Sequence, residues 1–176
     1  MDRLKLILPT PDYESEIMDY KREFIENGER IYGSGGLKHA EDFSKWYRAV
    51  CNNLKEETLV RKGLSPETTL LAINGNDSQH LLGMITIRHR LNDVLLKFGG
   101  HIDYSVRKSE RNKGYGSEIL RLALKECRRL DIKRVLLTCD KNNMASAKTI
   151  INNGGILENE IHEKNKITQR YWISLD

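Results

Sequence analysis

Within this 176-residue chain the stretch best suited to chemistry is Arg111-Asn112-Lys113-Gly114-Tyr115-Gly116-Ser117. Two glycines one residue apart permit a backbone turn that side chains would obstruct. Ile119, Leu120, Ala123, Leu124 and Cys127 follow at helical spacing, so the turn opens a helix of about Gly116–Leu130. A helix start directs unpaired N–H groups and the positive end of its dipole at whatever lies before it. That makes an anion site, and phosphate is its natural occupant. Charge agrees. From Arg107 to Arg134 there are ten Lys/Arg and four Asp/Glu, a net of +6, although the whole chain carries only +4.

Other phosphate motifs fail on inspection. A GxGxxG pattern would need a third glycine at position 119, which is Ile119, and no GxxxxGK[ST] string exists. Taken alone, the turn reads equally well as an ordinary glycine cap. His101 and Asp103 lie two apart on a predicted strand and so share a face, where either is a candidate general base or simply a paired polar residue. Glu41, Asp42, Tyr47, Glu158 and Glu160 read as solvated polar surface. Cys139 reads as a buried thiol, with no base beside it. The basic run Arg121, Lys125, Arg128, Arg129, Lys133 and Arg134 raises the nucleic-acid-binding class. It has no interleaved aromatics and no known motif, so a solvated helix face explains it and no nucleic acid is expected.

These residues need a scaffold, and the patterning supplies one. A first strand ending at Pro9 leads to a helix from Thr10-Pro11-Asp12 to about Asn27-Gly28. Gly33-Ser34-Gly35-Gly36 reads as a flexible break before a second helix over Ala40–Glu57. Strands follow at Thr68–Asn74 and Leu81–Arg90, joined by the Asn74-Gly75-Asn76-Asp77 turn. Leu91–Leu96 is a short helix or loop, His101–Arg107 a strand, and Lys133–Asp140 a buried strand after the long helix. A helix over Met144–Asn153 ends at Gly154-Gly155, and strands at Ile156–His162 and Ile167–Ser174 close the chain. The order β-α-α-β-β-β-α-β-α-β-β implies a single α/β domain over 1–176. Its sheet is mixed but mostly antiparallel, of about seven strands, with about four helices on its faces.

Composition sets bounds on that scaffold. Hydrophobic residues make up 39%, with 13 glycines besides, a globular balance. No run approaches the roughly 20 apolar residues of a membrane span, so no membrane partner is expected. Cys51, Cys127 and Cys139 form no CxxC pair, and the five histidines show no metal spacing. Free thiols, a cytoplasmic location and no metal are the expectation.

In this context the chain resembles the GNAT superfamily of acetyl-coenzyme A-dependent N-acetyltransferases. The family signature [QR]-x-x-G-x-[GA], between its fourth strand and third helix, is met by Arg111, Gly114 and Gly116. Asn143-Met144-Ala145-Ser146 is similar to the family's N-x-x-[AS] helix start. The resemblance is strongest over about 80–175. It implies acetyl-CoA as co-substrate and direct acetyl transfer to a primary amine of a small molecule or a peptide. Backbone amides from Asn112 through Lys113, Gly114, Tyr115 and Gly116 to Ser117 would cradle the diphosphate, with Arg111 and Lys113 adding charge. Tyr104, Ser105 and Val106 would pair their backbone with the pantetheine arm, and the Val106 N–H would stabilise the oxyanion. Asn143 and Ser146 would line the opposite wall. His101 or Asp103 would take the amine's proton, and Ser146 or water would serve the leaving thiolate. Two positions depart from the family. Its tyrosine seven residues after the asparagine is Ile150 here, and the phenylalanine it commonly has after Gly154 is Gly155. A catalytically silent coenzyme-binding module is the alternative, and a homodimer is left open.

Overall fold

The computed structural model describes residues 3–59, 61, 63–76 and 79–175. Met1 and Asp2 of the expected first strand, Asp77 of the expected turn and two residues of the 59–66 connection lie outside the described residues. The element order matches the sequence reading. Strand β1 spans Leu4–Ile7, helix α1 Glu14–Glu26, α2 Phe43–Asn52, β2 Glu67–Asn74, β3 Leu81–Arg88 and β4 Ile102–Val106. Then come α3 at Tyr115–Arg129, β5 at Arg134–Asp140, α4 at Met144–Asn152, β6 at Ile156–Glu163 and β7 at Lys166–Ser174.

Local chemistry fixes several boundaries. Pro11 opens a single 3₁₀ turn, Pro11–Tyr13, and α1 starts only after it. The Asp42 carboxylate accepts from Lys45 N–H at 2.8 Å, an N-cap that delays α2 to Phe43 rather than the expected Ala40. Between β3 and β4, Leu95–Gly99 forms one π-type turn. Among the described residues no helix is long and apolar enough to cross a membrane.

Seven strands form two sheets rather than the one expected. β1-β2-β3-β4 is an antiparallel meander, and β5-β7-β6 is a second antiparallel sheet. Alternation along β3 sends Ile85 and Ile87 to one core and Met84 to the other. The first core packs under α3 and α4 with Ile119, Leu120, Leu137 and Tyr171; the second packs under α1 and α2 with Ile17, Tyr20, Phe24 and Trp46.

The two sheets meet at the start of β4. His101 N–H donates to the Leu136 carbonyl at 2.7 Å, and Leu136 N–H donates back to His101 Nδ1 at 3.0 Å. Gly100, at φ +67°, lets the chains come this close, since a Cβ there would sit 2.5 Å from Leu136 O. Past this clasp no ladder joins β4 to β5, and the strands diverge.

The Gly33–Gly36 segment, expected to be flexible, is packed. Ser34 is buried, its Oγ donates to Ile31 O at 3.0 Å, and Trp46 Nε1 donates to its carbonyl at 2.7 Å. Gly33 holds φ +66°, and a Cβ there would lie 2.2 Å from Asp103 O. Gly33→Ala is therefore expected to lower stability by more than about 1 kcal/mol, read as the shift of the urea unfolding midpoint.

Candidate active site

Where β4 and β5 diverge, a groove of about 970 Å³ opens, running from the α3 turn to α4 and β7. The β3–β4 register decides which backbone groups face it. Arg88 N–H donates to His101 O and Arg107 N–H to Leu82 O, so the His101 carbonyl and the main chain of Asp103, Ser105 and Arg107 turn toward β3. Ile102, Tyr104 and Val106 turn theirs to the open edge. Tyr104 and Val106 thus stand where the sequence reading put them, but Ser105 does not offer its backbone to the groove. Its hydroxyl donates to Tyr32 O at 2.5 Å and meets Tyr20 Oη at 3.0 Å. Tyr20 is fully buried, which pushes its phenol well above the usual range and keeps it neutral. Ser105 therefore anchors the 31–36 loop to β4.

The signature turn closes one end of the groove. Asn112 and Gly114 take φ +62° and +83°, and α3 starts at Tyr115 with no side-chain cap. The first N–H groups of α3 have no intrahelical acceptor and face the turn. Gly114 needs its glycine for φ. At Gly116 an added Cβ would make only ordinary contacts, 3.5 Å from Tyr104 and 3.8 Å from Val106, so no clash with the protein demands a glycine there. Its missing side chain leaves room in the groove it lines.

Charge at the turn differs from the expectation. Arg111 is bound bidentately to Glu29 (Nη1–Oε1 3.1 Å), and its Nε donates to Val106 O at 3.0 Å. This pairing holds the Glu29 carboxyl below its usual range. Lys113 is paired with Glu110 at 2.9 Å. Arg107 lies against Glu23 at 3.3 Å and Glu16 at 3.9 Å, both on α1. Acids outside the basic segment thus offset its surplus, and Arg111 and Lys113 are not free cations awaiting phosphate. Arg3, which the sequence gave no reason to notice, donates to Lys113 O at 3.0 Å and stacks 5.0 Å over Tyr115. Farther along α3 and into β5, Arg129 pairs with Glu126 at 2.5 Å and Arg134 lies 4.7 Å over Trp172.

The two candidate bases separate. His101 is buried, its Nδ1 is committed to Leu136, and burial with the nearby Arg88 charge lowers its pKa to about 4. A ring so held is a clasp and a poor acceptor for an amine's proton. Asp103 instead forms an ion pair with Arg88 and borders both the groove and a smaller pocket of about 190 Å³.

On the far wall, Asn143 caps α4 by accepting from Ser146 N–H at 3.1 Å. Tyr104 reaches across from β4, and its hydroxyl lies beside those of Ser146 and Thr149. Burial raises its phenol, and those neighbours oppose the rise. Cys139, a free thiol in the same wall, is also raised by burial. The two departures from the family pattern touch one another. Ile150 is buried in the core, and a Cβ on Gly155 would fall 2.4 Å from its Cγ2, so the glycine makes room for the isoleucine.

Residues 3–156 match the family model described as an acetyltransferase (GNAT) domain. The chain belongs to the GNAT acetyltransferase family. It is an acyltransferase, and the family implies acetyl-CoA as its co-substrate. Solved GNAT structures share the fold. A ribosomal-protein-S5-alanine acetyltransferase from Vibrio fischeri superposes with TM-score 0.69 at 13% identity, covering 100% of this chain and 95% of that one. A mutant spermidine N-acetyltransferase from Vibrio cholerae gives 0.68 at 12%, over 99% and 95%. An enzyme from Salmonella typhimurium, described as modifying the N-terminal serine of a 50S ribosomal subunit protein, gives 0.65 at 17%, over 100% and 97%. No curated protein matches the sequence.

The His101 clasp has a pH signature. Its folded pKa of about 4 lies below the ordinary 6.5, so between these values the unfolded chain binds a proton that the folded chain refuses. Stability is expected to fall as pH drops from about 6.5 to about 4, with no contribution from this group above that window. Burial lowers His89 in the same direction. Urea unfolding across the window should show a shallower loss for His101→Asn than for the unaltered protein.

Proposed function

We propose that this GNAT protein is an acetyl-CoA-dependent N-acetyltransferase, that residues 1–176 form one domain, and that it works in the cytoplasm on a primary amine. The observation that carries the reading is the open β4 edge ending at an uncapped helix start. A strand edge pairs with an amide-bearing arm, and helix amides hold a diphosphate. Spermidine and ribosomal-protein N-termini, named for the structural neighbours, leave both small-molecule and peptide amines as acceptors.

In the proposed reaction the main chain of Tyr104 and Val106 aligns the pantetheine arm, and the Val106 N–H stabilises the oxyanion formed as the amine attacks the thioester. The acceptor arrives as an ammonium of pKa about 10 and must first lose a proton. Asp103, on the acceptor side of β4, takes it directly or through water. The departing thiolate, with a thiol pKa near 8.5, is a tolerable leaving group. The hydroxyls of Tyr104 and Ser146 lie in the wall beside it and donate to it. Tyr104→Phe is expected to lower kcat about tenfold or more with little change in the KM for acetyl-CoA. An unchanged kcat would remove Tyr104 from this role.

Thiol release from acetyl-CoA against a broad amine library tests the activity. Coenzyme binding with no release for any amine would favour the silent-module reading, which Ile150 in place of tyrosine keeps in view. Calorimetry tests the turn. Gly114→Asp should weaken acetyl-CoA at least about tenfold, since it strains φ and sets a carboxylate beside the phosphates. Lys113→Ala, already paired with Glu110, should cost less than about threefold. Equal small losses would count against the amide cup.

A further inference from the structure

The smaller pocket beside the groove is lined by the 31–36 loop, Glu67, Thr86, Arg88 and Asp103, and it shares Tyr32 and Asp103 with the groove. An acceptor whose reacting nitrogen lies near Asp103 therefore has this polar recess within reach. The recess is nearly spent as a source of bonds. Arg88 donates to Gly99 O, to Gly100 O at 3.0 Å and to Asp103. Thr86 is bonded to Thr69 at 2.9 Å, and Tyr32 O and Ser34 O already accept from Ser105 and Trp46. Arg88 is thus not available to grip a substrate carboxylate.

Glu67 is different. It is half-buried at the start of β2, where its carboxylate accepts from the Asn53 side chain and keeps further lone pairs, and among the described residues no ion pair reaches it. Arg88 acts on it only through space while bonded to Asp103. The recess is lined by two acidic side chains, Glu67 and Asp103, against the one guanidinium of Arg88. Burial raises the Glu67 carboxyl above its usual range, the state in which an arriving cation is worth most.

Resting on the transferase reading, we infer that this recess is a second acceptor subsite in which Glu67 binds a distal ammonium. The substrate class is then an aliphatic amine bearing a second cationic nitrogen on a short tether, with one nitrogen acetylated near Asp103 and the other held at Glu67. A monoamine fills the first position and leaves Glu67 without its counter-ion. A zwitterionic amino acid would set its carboxylate among acids.

The test compares α,ω-diaminoalkanes with n-alkylamines of matching length in the thiol-release assay. In the unaltered protein kcat/KM should favour the diamines at least about tenfold, the value of one charge-assisted hydrogen bond. Glu67→Gln, which keeps the shape and removes the charge, should bring that ratio toward one, chiefly through KM for the diamine. Glu67→Asp should retain part of it. Equal kcat/KM for the two amine series in the unaltered protein, or an unchanged ratio in Glu67→Gln, would overturn the inference. Calorimetric titration of the diamine into the protein saturated with coenzyme A separates the two readings. Diamine binding lost in Glu67→Gln supports the subsite even with no thiol release. Thiol release from both amine series at equal efficiency leaves the transferase standing and the subsite refuted.

Discussion

The structure depends on two hydrogen bonds between His101 and Leu136. They hold β4 against β5 at one end only, and everything functional lies beyond them. A complete ladder would satisfy the Tyr104 and Val106 main chain within the protein and leave no groove. Complete separation would leave the second sheet joined to the first only through their shared core and the bonds of Thr138 and Arg170 to the 95–99 turn. The burial that makes His101 unsuitable as a base is what makes it suitable as a clasp, because a neutral imidazole can accept from a backbone N–H where an imidazolium could not.

Electrostatics follows the same economy. A segment carrying a surplus of basic residues would repel itself if left unpaired. The fold brings Glu16, Glu23 and Glu29 from the α1 region against Arg107 and Arg111. What remains for an anion at the turn is chiefly the backbone itself, since Arg3 too is paired, with Glu118 at 2.9 Å. Backbone amides make a better-defined site than long cationic side chains, because their geometry is already fixed before anything binds.

Much of this was legible in the sequence. Element order, the α3 turn and the α4 cap follow from local rules, namely glycine at positive φ, an asparagine cap and the helical spacing of Ile119, Leu120, Ala123, Leu124 and Cys127. The split into two sheets was not legible, because it depends on where two strands distant in sequence stop pairing. Nor was the role of the glycine-rich segment. Gly33-Ser34-Gly35-Gly36 carries the composition of a flexible linker, but Gly33 is there because the β4 backbone leaves no space for a Cβ, and Gly35 because Thr69 and Val50 crowd it. Glu29, Glu67 and Arg88 sit in no motif, and only tertiary contact shows what they face. His101, a candidate base or a paired polar residue by sequence, is the paired one for a related reason. Residue type and strand position made it a candidate base, and burial with a committed Nδ1 makes it a poor proton acceptor. Ile150 and Gly155 looked like two separate exceptions until contact showed them to be one packing adjustment.

The bond between Arg111 and Glu29 ties the α3 turn to the segment that leads into the 31–36 loop. An anion drawing Arg111 away frees a carboxylate four residues before Gly33, and a ligand that neutralises Glu29 frees the guanidinium in turn. One ion pair thereby couples the α3 turn to the loop that Ser105 holds against β4.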